Sequence, residues 1–99
     1  MDYTKVLIFE WDEAKSNRCL KERGFDFNYV VQVFADPDAV VRMDNRHDYG
    51  EDRFEVVGRV CSRVFTVVYT YRSNAIRVIS ARRANHREVK RYESSSYQD

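Results

Sequence analysis

Four arginines, Arg59, Arg77, Arg82 and Arg83, fall within or directly after stretches in which apolar residues alternate with polar ones. A guanidinium carried on a strand is placed more rigidly than one on a tail, and its planar fork matches two oxygens of a phosphate. A preorganised set of such groups also meets the extra negative charge of a pentavalent phosphoryl transition state. RNA brings its own nucleophile, the 2′-hydroxyl. Cations around the phosphate and a group that moves protons then suffice for cleavage, with no metal required. Arg59, Arg77 and Arg82 are the candidate catalytic cations, and His47 is the candidate for proton transfer, because imidazole changes charge near neutral pH. Arg83, Arg87, Lys90 and Arg91 are candidates for holding the RNA backbone. Six of these have a plainer reading. Arg77 and Arg82 suit structural ion pairs with Glu10, Glu55 or Glu88, His47 suits an exposed loop, and Arg87, Lys90 and Arg91 suit a solvated helix face.

The charge distribution points the same way. The chain of 99 residues has a net charge of +1. Residues 1–50 carry 7 basic and 10 acidic side chains, and residues 51–99 carry 10 and 6. Between Arg72 and Tyr92 seven basic residues face one acid, Glu88. Such a segment is an electrostatic footprint for a polyanion, or a docking patch for an acidic protein.

Other chemistries lack their residues. His47 and His86 belong to no paired ligand motif, and the acidic loop Asp44–Asp52 has Arg46 and Tyr49 where a calcium loop needs a ligand and a glycine. No metal and no cofactor are expected. Gly24, Gly50 and Gly58 are too scattered for a phosphate-cradling loop. Ser80 has no nucleophile-elbow context, and Cys19 and Cys61 form neither a metal spacing nor a disulfide framework. With no apolar run long enough for a leader or a span, a cytoplasmic protein with reduced thiols and no membrane contact is expected.

The positioning elements follow from local signals. Val6–Phe9 reads as a strand. Asp12 offers an N-cap with Glu13 in the first turn, and the helix runs to about Arg23, where Gly24 stops it. Asp26 caps a second helix. Its apolar stripe is Phe27, Val30, Val31 and Phe34, and Asp36-Pro37 ends it. Strands are expected over 39–43, 54–59, 64–71 and 76–79, with a tight turn at Arg72-Ser73-Asn74. The 64–71 run is apolar or β-branched on both faces and belongs in the sheet centre. Asn85 and Glu88 form a capping-box pattern for a last helix that turns Val89 and Tyr92 inward. The order β-α-α-β-β-β-β-α predicts an α+β domain, a mostly antiparallel sheet with helices on one face. One domain over residues 1–93 and a polar tail over 94–99 are expected.

Several segments resemble the BrnT family of toxins: Phe9-Glu10-Trp11-Asp12-Glu13-Ala14-Lys15, Arg46-His47-Asp48-Tyr49-Gly50-Glu51, Gly58-Arg59, Val67-Val68-Tyr69-Thr70, and Arg77-Val78-Ile79-Ser80-Ala81-Arg82-Arg83 with Arg87-Glu88 and Arg91-Tyr92-Glu93. They occur in the family's order from about Phe9 to Glu93. The resemblance implies a RelE-like fold and ribonuclease activity that inhibits translation. It also implies a neutralising BrnA-like antitoxin in a two-to-two complex, with operator DNA bound only through the antitoxin. Many relatives have Lys-His-Gly at the end of the first helix, where this chain has Glu22-Arg23-Gly24. That departure leaves a second reading, a catalytically impaired module on the same fold that binds RNA or antitoxin.

Overall fold

A computed structural model describes residues 7–44 and 50–96 of the chain. Strand β1 (Ile8–Trp11) leads into helix α1 (Glu13–Arg23), then the short helix α2 (Phe27–Val30), which continues as a 3₁₀ turn over Val31–Ala35. Strands β2 (Val40–Asp44), β3 (Arg53–Val60), β4 (Arg63–Arg72) and β5 (Ala75–Arg83) follow, and helix α3 (His86–Ser96) comes last. The fold is α+β in the expected element order. The sheet runs β1-β5-β4-β3-β2, antiparallel except for the parallel pair β1–β5.

Local chemistry sets the helix ends as expected. The Asp12 side chain accepts from the amides of Ala14 and Lys15, which α1 leaves without intrahelical partners. Gly24 closes α1 in the left-handed region at φ 89°, and its N–H donates to the Leu20 carbonyl. Asp26 caps α2 through the Tyr29 amide.

The stripe beyond α2 differs from the expected one. Val30 and Val33 are fully buried, whereas Val31 and Phe34 are half-buried against the core. The 3₁₀ turn explains this, because its period of three aligns residues at i and i+3. Val33 also packs over Gly58 of β3, where an added Cβ would lie 3.0 Å from the Val33 Cβ.

The core lies between one face of the sheet and the α1–α2 layer. Val56, Val60, Phe65, Val67, Tyr69, Val78 and Ala81 meet Cys19, Phe25, Phe27, Val30 and Val33 there. Strand β4 is central and paired on both sides, as its two-faced apolar pattern predicts. Helix α3 departs from the one-face expectation. Thr66, which alternates with the core residues Phe65 and Val67 and so points away from them, hydrogen-bonds Glu88 of α3. Helix α3 therefore sits on the opposite face. It continues through the polar residues Ser94 and Ser95 to Ser96.

Candidate functional site: an arginine-bearing sheet face

Cross-strand partners share a face of the sheet, so the pairing register locates the candidate residues. Glu10, Arg77 and Thr70 form one row across β1, β5 and β4. Arg82, Thr66 and Val57 form another across β5, β4 and β3. Arg59 lies two residues from Val57 on β3 and points the same way. Arg59, Arg77 and Arg82 thus emerge on one side, the side that carries α3.

Each has a partner. Arg77 Nη1 donates to Glu10 Oε2 at 3.1 Å, a half-exposed pair. Arg82 grips Glu88 with both ends of its fork, Nη1 to Oε1 at 2.7 Å and Nη2 to Oε2 at 2.9 Å. The same carboxylate accepts from the Asn85 amide at 2.8 Å and from the Thr66 hydroxyl at 3.0 Å, while the Glu88 amide donates back to Asn85 Oδ1. The capping box is therefore formed, and Arg82 is built into it. Burial alone would raise the Glu88 pKa. The Arg82 fork, with the Asn85 amide and Thr66 hydroxyl, instead holds it down to about 2.

Arg59 sits at the second attachment of α3. Its guanidinium carbon lies 5.5 Å from the centre of the Tyr92 ring, a cation–π arrangement. The Tyr92 hydroxyl donates to Asp36 Oδ2 at 2.6 Å, and the Arg59 amide donates to the same oxygen at 2.7 Å. Burial pushes the Asp36 carboxyl up, but these donors and the Asp38 amide bring it below its ordinary value. Glu88 and Tyr92 each fasten α3, Glu88 to β4 and β5 and Tyr92 to Arg59 of β3 and to Asp36. Arg87 and Lys90 are exposed on its outer side and Arg91 is half-buried.

Arg83 is separated from this group. It pairs with Phe65, so it emerges on the α1–α2 side, where it lines a cleft with Arg23 and Arg63. Periodicity did not mark these last two. Arg23 reads as a cation favoured by the helix dipole in a last turn, and Arg63 as a turn residue after Cys61-Ser62. His47 lies outside the described residues. Among the described residues no cluster of three or more His, Cys, Asp or Glu side chains could hold a metal ion, and no helix is long and apolar enough to cross a membrane.

What this face serves is indicated by comparison with known families. Residues 11–88 match the family model described as the ribonuclease toxin BrnT of a type II toxin–antitoxin system. The chain belongs to the BrnT toxin family. The match extends from the end of β1 to Glu88, and so includes Arg59, Arg77, Arg82 and the carboxylate that holds Arg82. Membership of a type II toxin–antitoxin family implies an antitoxin partner and identifies the chain as a ribonuclease toxin. Comparison with curated proteins gave no match.

Proposed function

We propose that this chain is a metal-independent endoribonuclease with a RelE-like fold. It cleaves RNA through the RNA's own 2′-hydroxyl and thereby inhibits translation. The observation that carries the proposal is that Arg59, Arg77 and Arg82 emerge on one sheet face within the family-matched region. In this reading the 2′-oxygen attacks phosphorus and loses its proton. The bond to the 5′-oxygen breaks and that oxygen gains a proton. The products are a 2′,3′-cyclic phosphate and a 5′-hydroxyl. Arg77 stabilises the charge on the non-bridging oxygens, because a cation fixed in advance need not reorganise during reaction. Arg59 pairs with Val64, six residues along β4 from Thr70, the partner of Arg77, and so holds the RNA backbone farther along the same face. Glu10, at 3.1 Å, fixes the Arg77 guanidinium. Arg82 serves mainly by fastening α3, and His47 is the group proposed to move the proton.

The partner proposed is a BrnA-like antitoxin in a two-to-two complex, through which alone operator DNA is contacted. Two assays test the proposal. Purified protein should cleave RNA in excess EDTA, and induced expression should arrest a bacterial host that co-expressed antitoxin rescues. Normal growth on verified soluble expression without antitoxin would count decisively against it. The carboxylate partners of Arg77 and Arg82 favour one second reading, an impaired module that binds RNA without cutting it. RNA binding with no cleavage product would select that reading.

A further inference from the structure

A cleft of about 620 Å³ opens on the α1–α2 side, away from the face just described. Its walls are the end of α1 and the start of α2 on one side, and the β3–β4 turn and the end of β5 on the other. Three arginines line it, Arg23, Arg63 and Arg83. The one acid in its lining, Asp26, directs Oδ1 to the Tyr29 amide at 2.9 Å as the cap of α2. Arg23 is held in place, because its Nη1 donates to the Ala81 carbonyl at 2.7 Å.

Aromatic rings lie beside these cations. Phe25 meets Phe65 edge-on at 4.8 Å between centres, and Tyr29 meets Phe65 edge-on at 6.0 Å. Phe25 and Phe65 are buried, but Tyr29 is 37% exposed, which leaves ring surface open to a planar group. Guanidinium groups beside an exposed aromatic ring are how proteins hold single-stranded nucleic acid, with phosphate on the cations and a base on the ring. The cleft volume falls within the range of about 300–1,000 Å³ usual for small-molecule sites, enough for one nucleotide.

The cleft is joined to the arginine-bearing face. A smaller cavity is lined by Arg23, Phe25, Arg82 and Arg83, and so shares three residues with the larger one. Arg82 and Arg83 are adjacent on β5 and point to opposite faces. Strand β1 pairs with β5 only as far as Val78, so the last residues of β5 form a sheet edge beside both cavities. That edge is already blunted. The Ala81 carbonyl takes Arg23 Nη1 at 2.7 Å and the Cys19 thiol at 3.7 Å, which disfavours a partner strand adding there.

We propose that the Arg23–Arg63–Arg83 cleft is a second phosphate subsite for single-stranded RNA, reached by a chain that passes round the β5 edge from the face bearing Arg59 and Arg77. The inference rests on the RNA-cleaving reading and deepens it. The footprint of the RNA then extends beyond the scissile phosphate to the other side of the sheet.

The test uses full-length protein and a fluorescent 12-nucleotide single-stranded RNA, 2′-O-methylated so that it cannot be cut. Its affinity is followed by anisotropy between 50 and 200 mM salt. For single strands each lost phosphate contact lowers the slope of log K against log salt by about 0.7. The double variant Arg63→Ala/Arg83→Ala is expected to bind roughly tenfold more weakly at low salt, with a slope shallower by about 1.4. Arg42→Ala, exposed on the far edge strand β2, should change neither. Arg63→Glu alone should weaken binding more than Arg63→Ala, which provides a one-site readout should the double variant unfold by circular dichroism. A double variant with the wild-type slope overturns the proposal. An unchanged slope with loss of antitoxin binding also overturns it, and assigns the cleft to the protein partner. Cleavage of unmodified RNA by wild-type protein is measured in parallel. Intact cleavage with an unchanged slope removes the subsite alone, whereas a wild-type protein that neither binds nor cleaves RNA removes both readings.

Discussion

Replacing Glu88 by Gln removes the charge that Arg82 grips while keeping the side-chain volume. The Glu88 side chain is 8% exposed and accepts four hydrogen bonds, two from Arg82 and one each from Asn85 and Thr66. Its carboxyl falls from an ordinary 4.5 to about 2, a difference equivalent to about 3 kcal/mol of folding stability. The Arg82 side chain is 39% exposed, and solvent screening of that end reduces the figure to about 2 kcal/mol. In a domain of this size that lowers Tm by about 8–16 °C at pH 7. The sign follows from the depressed native pKa. The stabilisation is complete above the ordinary value of 4.5 and is lost as pH falls through about 2. Thermal melts of wild type and Glu88→Gln from pH 7 to pH 2 should therefore show a wide gap that narrows below pH 4.5. Equal melts at pH 7, or a gap that does not change with pH, would refute the view that this ion pair fastens α3.

Other substitutions separate folding from chemistry. Arg77→Ala should cost under about 1 kcal/mol, because its pair with Glu10 is half-exposed, yet lower the cleavage rate by about 100-fold or more, as loss of a transition-state donor does. Arg82→Ala should instead lose about 3 kcal/mol or more in denaturant melts, because it leaves a buried carboxylate without its cation. Gly58→Ala should destabilise by about 1–3 kcal/mol, since its Cβ would meet Val33 Cβ at 3.0 Å and the Val33 carbonyl at 3.1 Å. Asp12→Ala should cost about 1 kcal/mol by removing the acceptor for the first amides of α1.

What the sequence disclosed was mostly local. The Asp12 cap, the Gly24 stop and the Asn85–Glu88 box each depend on residues within a turn of one another, and all three form. The central place of β4 was legible because both its faces are apolar or β-branched. Long-range features were not. Glu10 is one of three acids that suit Arg77, and nothing near it announces that Arg77, 67 residues later, is its partner through a parallel pairing. The placement of α3 on the far face of the sheet depends on distant partners, Thr66 for Glu88 and Asp36 for Tyr92, that no spacing within the helix names. The 3₁₀ turn changes the phase of the apolar stripe, so the α-helical period points to Val31 and Phe34 where Val33 is the buried residue. The strand arginines were visible as a set, but alternation along β5 divides Arg82 from Arg83 and places the latter with Arg23 and Arg63. Sequence spacing alone could not have assembled that cleft.

Chemical analysis of the RNA ends left by the purified wild-type protein in excess EDTA tests the central claim most directly. Attack by the RNA's own 2′-hydroxyl, stabilised by strand-borne arginines, predicts cleavage under those conditions with 2′,3′-cyclic phosphate and 5′-hydroxyl termini. Cleavage that requires an added divalent cation and leaves 3′-hydroxyl and 5′-phosphate termini would contradict it.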